Sequence, residues 1–230
     1  MKLPRALLLD LDGTLLDTAP DMTRALNRLR HAEGLEALPP DQVRPHVSHG
    51  AARLVRLGFG DVDATEFERL RQCFLQLYSE TLADQTRVFS GFEVVFERLL
   101  EVGVPWGVVT NKPGWLTAPL MAELGIERLA ACIVSGDTVP ERKPHPLPLQ
   151  HAATLLGIEP ARCLYVGDAE RDIIAGRAAG MGTLVAGWGY IGDKETPAEW
   201  GADGTVDAPP ELIDWFAAAD PAERLRSARP

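Results

Sequence analysis

Five short apolar segments recur along the chain, and their pattern is that of strands buried on both faces. They cover residues 5–11, 104–110, 131–135, 162–166 and 182–186. Each is nearly continuous in apolar residues and shows no regular alternation with polar ones. This is typical of strands in a parallel sheet that helices cover on both sides. We therefore predict a strand in each of these places.

Helical spacing of apolar residues fills the gaps between most of these strands. Apolar side chains in residues 92–100 recur every three or four positions, and Gly103 stands where a helix C-cap belongs. Residues 149–156 and 173–179 are likewise followed by a glycine. The alternation of strands and helices predicts an α/β fold whose core is a Rossmann-like, doubly wound parallel sheet.

This alternation is interrupted between the first and second strands by about 70 residues that show helical periodicity and no convincing strand. Apolar residues such as Leu70, Phe74 and Leu77 keep the spacing of one helix face. We predict that residues 18–87 form an α-helical cap domain inserted into the catalytic core, which consists of residues 1–17 and 88–230.

The acidic composition argues against two classes of binding partner. With 23 basic against 33 acidic residues, the chain has a formal charge of −10, which argues against binding to nucleic acid or to an anionic membrane surface. No apolar segment approaches the roughly 20 residues of a membrane helix. Three scattered cysteines without a CxxC pair are typical of reduced thiols. We therefore expect a cytoplasmic protein without nucleic-acid or membrane partners, either a monomer or a homodimer.

Two pairs of aspartates follow predicted strands. Asp10 and Asp12 lie at the end of the first strand, before Gly13, and Asp168 and Asp172 follow the fourth. In open α/β sheets, ligands bind beyond the carboxyl ends of the strands, so these four carboxylates are candidates for one site. A simple turn at Gly13 and a capped helix after Asp168 are the alternative interpretations, since Asp is common in both settings.

Polar residues after two further strands favour the first interpretation. Thr110 and Asn111 end the second strand, and Lys143 follows the next one and precedes Pro144. A cluster of carboxylates with one lysine suits a hard cation together with a phosphate, because Mg²⁺ takes oxygen ligands and lysine neutralises phosphate charge. We therefore predict a site for Mg²⁺ and a small phosphorylated metabolite at this edge of the sheet.

In this order, the motifs resemble those of the haloacid dehalogenase-like hydrolase superfamily. The first family motif, DxDGT, corresponds to residues 10–14, and the second and third correspond to Thr110 and to Lys143 followed by proline. The fourth, GDxxxD, corresponds to residues 167–172. The likeness covers essentially the whole chain, and the helical segment after the first motif resembles the family's α-helical cap. Within the superfamily, segments such as residues 111–113 (Asn-Lys-Pro) resemble the phosphoglycolate phosphatase branch.

The resemblance implies catalysis through a phosphoaspartate intermediate. Asp10 is expected to be the nucleophile. Asp12 is expected to protonate the leaving group as general acid and then to activate water as general base. Thr110, Lys143 and the backbone amides after Asp10 are expected to bind the phosphoryl oxygens, and Asn111 is a further expected substrate contact.

The resemblance also implies how Mg²⁺ is held. The expected ligands are the side chains of Asp10 and Asp168 and the backbone carbonyl of Asp12, with Asp172 in a supporting position. Asp12 further separates two branches of the superfamily, because phosphatases need this second carboxylate and the dehalogenases lack it. We therefore expect a phosphatase.

The predicted cap contains one segment that we expect to face the substrate, residues 44–50 (Arg-Pro-His-Val-Ser-His-Gly). Ser48, His49 and Gly50 are its candidate contacts, because a hydroxyl, an imidazole and a helix N-terminus suit a carboxylate or sugar hydroxyls. Two histidines without a third ligand rarely form a metal site, so we do not expect His46 and His49 to bind one.

We expect a Mg²⁺-dependent phosphomonoesterase, with 2-phosphoglycolate as the first substrate candidate. N-acetylmuramic acid 6-phosphate is the alternative, because residues 47–50 and 189–191 also resemble phosphatases of that compound. A phosphomutase is a third option. A signalling receiver domain, which accepts a phosphoryl group on aspartate without hydrolysing esters, is the alternative from another class. The helical insertion and the presence of Asp12 argue against it.

Overall fold

Each of the five predicted strands is present, together with three others. The computed structural model describes residues 4–216, so residues 1–3 and 217–230 of the predicted core lie outside it. The described strands are β1 (Ala6–Leu9), β2 (Leu16–Asp17), β3 (Arg87–Val88), β4 (Trp106–Val109), β5 (Cys132–Val134), β6 (Cys163–Gly167), β7 (Gly182–Ala186) and β8 (Gly204–Val206). The predicted ends differ from these by at most two residues, because the apolar pattern and the hydrogen-bonded ladder do not stop at the same position.

Six of the strands form one parallel sheet, in the order β5-β4-β1-β6-β7-β8. The chain winds outward from β1 to β4 and β5, then returns to the other side of β1 and continues through β6, β7 and β8. This is the doubly wound order of Rossmann-like folds, and it confirms the predicted fold class. The winding direction reverses between β1 and β6, so a ligand-binding crevice is expected beyond the carboxyl ends of these two strands.

Helices cover the sheet on both faces because successive side chains of a strand point in opposite directions. In β1, Leu7 and Leu9 belong to one apolar cluster, and Ala6 and Leu8 belong to another. All four side chains are fully buried. The first strand is therefore held between two apolar layers, which keeps the residues that follow it in a defined position.

The predicted helices of the core are confirmed, including two of their end signals. The described α-helices are α1 (Ala19–Ala32), α2 (Pro40–Val43), α3 (Gly50–Phe59), α4 (Ala64–Ser79), α5 (Phe92–Val102), α6 (Gly114–Glu123), α7 (Leu147–Leu156) and α8 (Glu170–Ala178). Gly103 after α5 and Gly157 after α7 have φ values of 67° and 64°, which glycine adopts without strain. Within residues 4–216, no helix is long and apolar enough to cross a membrane.

The segment predicted as a cap contains α1 to α4, with a 3₁₀ helix (Arg44–His49) between α2 and α3. The prediction that it holds no strand is wrong at its end, because Arg87 begins β3. β3 pairs antiparallel with β2, so a short ladder joins the two ends of the helical segment. Two-residue strands carry no hydrophobic period, which is why the sequence pattern did not show them. The division into two domains stays a prediction.

A buried carboxylate also ties the ends of this segment together. Asp21 in α1 is fully buried and accepts hydrogen bonds of 2.7–3.1 Å from the backbone N–H groups of Gln85 and Thr86 and from the Thr86 hydroxyl. In α4, the rings of Phe74 and Tyr78 lie parallel at 6.3 Å. Tyr78 is fully buried in this packing.

Candidate active site

The carboxyl ends of three neighbouring strands carry predicted site residues. Asp10 directly follows β1, Thr110 directly follows β4 and Asp168 directly follows β6. Because β1 pairs with both of the other strands, these residues meet at one place beyond the sheet. Lys143 reaches the same place from the loop after β5, and its side chain is fully buried.

Three buried carboxylates form the centre of the site. Asp10, Asp168 and Asp172 each offer an oxygen, and these oxygens lie within 4.8 Å of one another. Burial and the charges of the other two carboxylates raise the pKa of Asp168 to about 7. Burial also raises the pKa of Asp10, against the opposite effect of Lys143. An all-oxygen set of mutually repelling carboxylates fits a hard divalent cation, whose charge would relieve that repulsion.

Lys143 neutralises part of this negative charge. Its ammonium lies 2.9 Å from Oδ1 of Asp10 and 2.7 Å from Oδ1 of Asp172, and it donates a hydrogen bond of 2.6 Å to the Tyr165 hydroxyl. Asp172 also accepts a hydrogen bond of 3.1 Å from the backbone N–H of Ala169 at the start of α8. Asp172 therefore orients Lys143 and caps a helix, and it adds a third carboxylate to the cluster.

Two glycines let the backbone approach Asp168 closely. Gly13 has a φ of 85°, and a Cβ at this position would overlap Oδ2 of Asp168. A Cβ at Gly189 would overlap the same side chain. Asp168 accepts hydrogen bonds from the Thr14 hydroxyl at 3.2 Å and from the backbone N–H of Tyr190 at 2.9 Å. These contacts hold the carboxylate in one orientation.

The side chain of Asp12 is not a member of the cluster formed by the other three carboxylates. Its Oδ1 accepts hydrogen bonds from the Thr18 hydroxyl at 2.7 Å and from the Lys112 ammonium at 2.9 Å. This arrangement suits a second carboxylate that handles protons beside a nucleophile and does not bind the cation through its side chain. Sequence reasoning gave Lys112 no role, and its place two residues after Thr110 was the available signal.

The predicted substrate-binding residues after β4 and β5 are joined to each other. The side-chain amide of Asn111 donates to the carbonyl of Lys143 at 2.9 Å and accepts from its N–H at 3.0 Å. The Thr110 hydroxyl accepts a hydrogen bond of 3.1 Å from the N–H of Lys112. Asn111 thus braces the Lys143 loop, and its direct contact with substrate stays a prediction.

The 3₁₀ helix of the cap segment lies directly on the site. The Ser48 hydroxyl donates a hydrogen bond of 2.6 Å to Oδ2 of Asp168, and the guanidinium of Arg171 donates to the backbone carbonyl of Ser48 at 2.5 Å. At the other end of the 3₁₀ helix, Arg44 pairs with Asp17 at 2.9 Å. Sequence reasoning missed Arg171, for which the available signal was its position inside the fourth motif.

His49 and Gly50, the other two predicted cap contacts, follow Ser48. Burial, assisted by the charge of Arg171, lowers the pKa of His49 below its ordinary value, so the imidazole is neutral at neutral pH. Its Nε2 lies 3.7 Å from Oε1 of Glu195. Gly50 has a φ of 75° and begins α3. Their contact with a substrate stays a prediction.

A cavity of about 760 Å³ lies between the cap segment and the strand ends. Polar residues line it both at the strand ends and on the cap segment, and they include Asp10, Asp12, Thr110, Lys112, Arg171, Ser48, His49, Arg71, Gln72 and Gln76. Apolar side chains from both sides line the remainder: Met22, Val47, Phe74, Leu75, Trp115 and Leu116. Its volume lies in the range of about 300–1,000 Å³ that is usual for small-molecule sites. Asp10, which contacts Lys143, and Asp12 thus stand on the wall of a pocket that is partly polar and partly apolar.

Comparisons with known sequences connect this geometry to a family. The profile of the family described as haloacid dehalogenase-like hydrolase matches residues 7–186. A phosphoglycolate phosphatase of Xanthomonas campestris pv. campestris (strain 8004) is 45% identical over 96% of this chain and 99% of its own length. An N-acetylmuramic acid 6-phosphate phosphatase of Pseudomonas aeruginosa is 44% identical over 91% of this chain and 93% of its own length.

Solved structures agree with the sequence comparison. The crystal structure of a predicted phosphoglycolate phosphatase from Haemophilus somnus 129PT has a TM-score of 0.83 and 26% identity, covering 94% of this chain and 100% of that chain. A haloacid dehalogenase-like family hydrolase from Streptococcus pneumoniae shares the fold at 19% identity, with a TM-score of 0.81 and the same coverage. With residues of all four motifs brought together beyond the carboxyl ends of the strands, the chain belongs to the haloacid dehalogenase-like hydrolase family and is a phosphatase of phosphate monoesters.

Proposed function

We propose that the chain hydrolyses phosphate monoesters in two steps, through a phosphoaspartate on Asp10. The observation that carries this proposal is the position of Asp10, a buried carboxylate on the cavity, 2.9 Å from the ammonium of Lys143. In the first step, a carboxylate oxygen of Asp10 attacks phosphorus and the bond from phosphorus to the ester oxygen breaks. Asp12 gives its proton to that oxygen, and the alcohol leaves.

The second step regenerates the enzyme. Asp12, now a carboxylate, takes a proton from water, and the resulting hydroxide attacks phosphorus. The bond between phosphorus and the Asp10 oxygen breaks, so inorganic phosphate leaves and one water is consumed for each ester. In both steps Thr110 and Lys143 bind the phosphoryl oxygens, and the buried ammonium offsets their charge.

We propose Mg²⁺ as the resident cation. Asp10 and Asp168 would hold it through their side chains and Asp12 through its backbone carbonyl, with Asp172 in support. The cluster of three buried carboxylate oxygens within 4.8 Å favours a small, hard cation. When bound, the cation supplies positive charge that offsets the charge on the transferring phosphoryl group.

The first substrate candidate is 2-phosphoglycolate. The Xanthomonas relative at 45% identity is named for this activity. In this chain, the neutral His49 and the start of α3 at Gly50 line the cavity, and both suit a carboxylate at the far end of a small ester.

The second candidate is N-acetylmuramic acid 6-phosphate, and the cavity is the observation that favours it. A volume of about 760 Å³ is much larger than a two-carbon acid fills. The apolar walls formed by Phe74, Leu75 and Trp115 suit the acetyl and lactyl groups of an amino sugar. The Pseudomonas relative at 44% identity is named for this activity.

A substrate comparison and a trapping experiment test these proposals. The purified protein is assayed with both candidates and with p-nitrophenyl phosphate, in Mg²⁺ and in EDTA. We expect EDTA to abolish turnover, and the physiological ester to show the highest kcat/KM. Acid quenching during turnover of a radiolabelled phosphate ester should leave label on the wild-type chain and none on Asp10→Asn. Steady turnover without any trapped label in the wild type, under conditions where hydrolysis of the intermediate is slow, contradicts the phosphoaspartate.

A further inference from the structure

A buried lysine that the proposed reaction does not use connects three parts of the molecule. Lys112 follows β4, and 3% of its side chain is exposed. Its ammonium lies 2.9 Å from Oδ1 of Asp12 and 2.8 Å from the hydroxyl of Tyr78, and it also stands 4.5 Å from the centroid of the Tyr78 ring. Tyr78 belongs to α4 of the cap segment and is fully buried. One side chain therefore touches both the cap segment and the carboxylate expected to move protons.

The hydrogen bonds to Asp12 are asymmetric. Both donors, the Lys112 ammonium and the Thr18 hydroxyl, bond the same oxygen, Oδ1. Among residues 4–216, no hydrogen-bond donor is found on Oδ2, although Asp12 lines the cavity. The two donors thus fix the plane of the carboxylate and leave Oδ2 as the oxygen available to a substrate or a water.

Two attractive interactions hold the Lys112 ammonium against Tyr78, one with the hydroxyl and one with the ring. Burial raises the pKa of the Tyr78 hydroxyl well above its ordinary value, so the hydroxyl stays protonated and neutral. A hydrogen bond and the face of an aromatic ring together attract a desolvated ammonium more strongly than either contact does alone. Tyr78 is itself held by its stacking on Phe74. The Lys112 ammonium is therefore linked to α4 through Tyr78.

We propose that Lys112 is a positioning residue that couples the cap segment to proton transfer by Asp12. Held by Tyr78, it fixes Oδ1 of Asp12, so that Oδ2 faces the ester oxygen only while α4 is seated on the core. This inference rests on the proposed function, in which Asp12 protonates the leaving group. As a consequence, a substrate whose binding brings α4 onto the core also orients Asp12 for proton transfer.

The dependence on the leaving group tests this inference. An alkyl phosphate needs a proton on its departing oxygen, whereas p-nitrophenolate is stable without one. In addition, kcat/KM reports the steps up to phosphoaspartate formation and leaves out its hydrolysis. For Lys112→Met, we expect kcat/KM for ethyl phosphate to fall by about 30-fold or more, within the 10²- to 10⁴-fold that general acid catalysis contributes. For p-nitrophenyl phosphate it should fall by no more than about 3-fold, since chemistry without the proton is unaffected.

Two further variants make the comparison specific. Tyr78→Phe keeps the ring and removes the hydroxyl. Its kcat/KM should therefore also fall for ethyl phosphate and not for p-nitrophenyl phosphate, by a smaller factor than in Lys112→Met. Lys194→Met, which removes an exposed lysine outside the site, should leave both esters unchanged. The p-nitrophenyl phosphate rate and the melting temperature show that each variant is folded.

Three results overturn the inference. An equal loss on both esters in Lys112→Met and Tyr78→Phe means that the pair only supports the fold. Weaker binding of phosphoglycolate alone, with ethyl phosphate unchanged, means that Lys112 binds the substrate's carboxylate. Wild-type kinetics in Lys112→Met mean that Asp12 needs no such support. Asp12→Asn separates these results from failure of the proposed function, because an active Asp12→Asn variant contradicts the role of Asp12 itself.

Discussion

The hydroxyl of Ser48 donates a hydrogen bond of 2.6 Å to Oδ2 of Asp168. Ser48 belongs to the cap segment and Asp168 to the sheet, 120 residues later in the chain. A residue that the sequence predicted to contact the substrate therefore forms a hydrogen bond with an oxygen of the carboxylate cluster. The same loop carries His49, which has no hydrogen bond to the cluster among the described residues. The two neighbours are expected to behave differently when they are replaced.

Ser48→Ala should weaken Mg²⁺ binding, because partners that orient a metal ligand typically contribute about 10- to 100-fold in affinity. We expect the Mg²⁺ concentration at half-maximal activity to rise by about 10-fold for every ester tested. His49→Ala should leave that concentration unchanged and raise the KM of the physiological ester several-fold, with little effect on p-nitrophenyl phosphate. Titration of activity with Mg²⁺ for each variant measures both effects. If Ser48→Ala changed only the KM of one ester, Ser48 would be a substrate contact, as the sequence alone predicts.

Asp10→Asn should remove the nucleophile while the fold is kept, because the amide has nearly the shape of the carboxylate. We expect kcat to fall by at least about 10³-fold, which is the usual scale for loss of a nucleophile. The circular dichroism spectrum should match that of the wild type. Substantial turnover by a cleanly folded Asp10→Asn protein is the outcome that excludes the covalent mechanism.

Gly13→Ala should reduce activity through a clash and not through backbone strain alone. The new Cβ would overlap Oδ2 of Asp168, and moving a catalytic group by about 1 Å costs on the order of 10²-fold in rate. Gly34→Ala is the matched control, because Gly34 also has a positive φ, 75°, but has no atom within 4 Å of the added Cβ. Both variants should lose some thermal stability, and kcat should fall in Gly13→Ala alone. Equal activities of the two would show that Asp168 moves aside without consequence.

The carboxylate cluster should make the metal-free protein less stable as pH rises. Burial first, and then the charges of Asp10 and Asp172, raise the pKa of Asp168 to about 7 from an ordinary value of 3.8. Between these two values the folded state holds a proton that the unfolded state has released. The free energy of unfolding therefore falls as pH rises through this window, and it stays low above it.

Thermal scans of metal-free protein between pH 4.5 and pH 8 test this, with Asp168→Asn as the reference because the amide cannot ionise. We expect the melting temperature of the variant to exceed that of the wild type by about 5 °C or more above pH 7, and the difference to shrink toward pH 4.5. Mg²⁺ should raise the melting temperature of the wild type most at the alkaline end, by binding the ionised cluster. A difference that is constant with pH contradicts the assignment.

The core of the site could be predicted because its signals are local. Asp10 and Asp168 stand directly after strands whose near-continuous apolar character marks them as buried. Parallel strands of one sheet end at the same edge, so residues in these positions lie along that edge, and they meet where their strands are neighbours, as β4, β1 and β6 are. The same signal predicted Thr110, which directly follows β4, whereas Lys143 reaches the site from the loop after β5.

Short elements escaped the sequence pattern. β2 and β3 have two residues each, and β8 has three, of which Thr205 is exposed. A hydrophobic period needs several turns or alternations before it differs from chance. β8 forms beside β7, and β2 and β3 form beside each other, because the backbone on either side brings these short segments together.

By itself, the sequence determined the fold class, the insertion after the first strand and the chemistry of the strand ends: carboxylates, a hydroxyl and a lysine. Only the tertiary structure decided which contacts these groups make. It places Asp172 against Lys143, turns Asp12 toward Lys112 and brings the hydroxyl of Ser48 to Asp168. Hydrophobic periodicity reports how one element is buried, whereas a contact between distant segments depends on the path of the whole backbone between them.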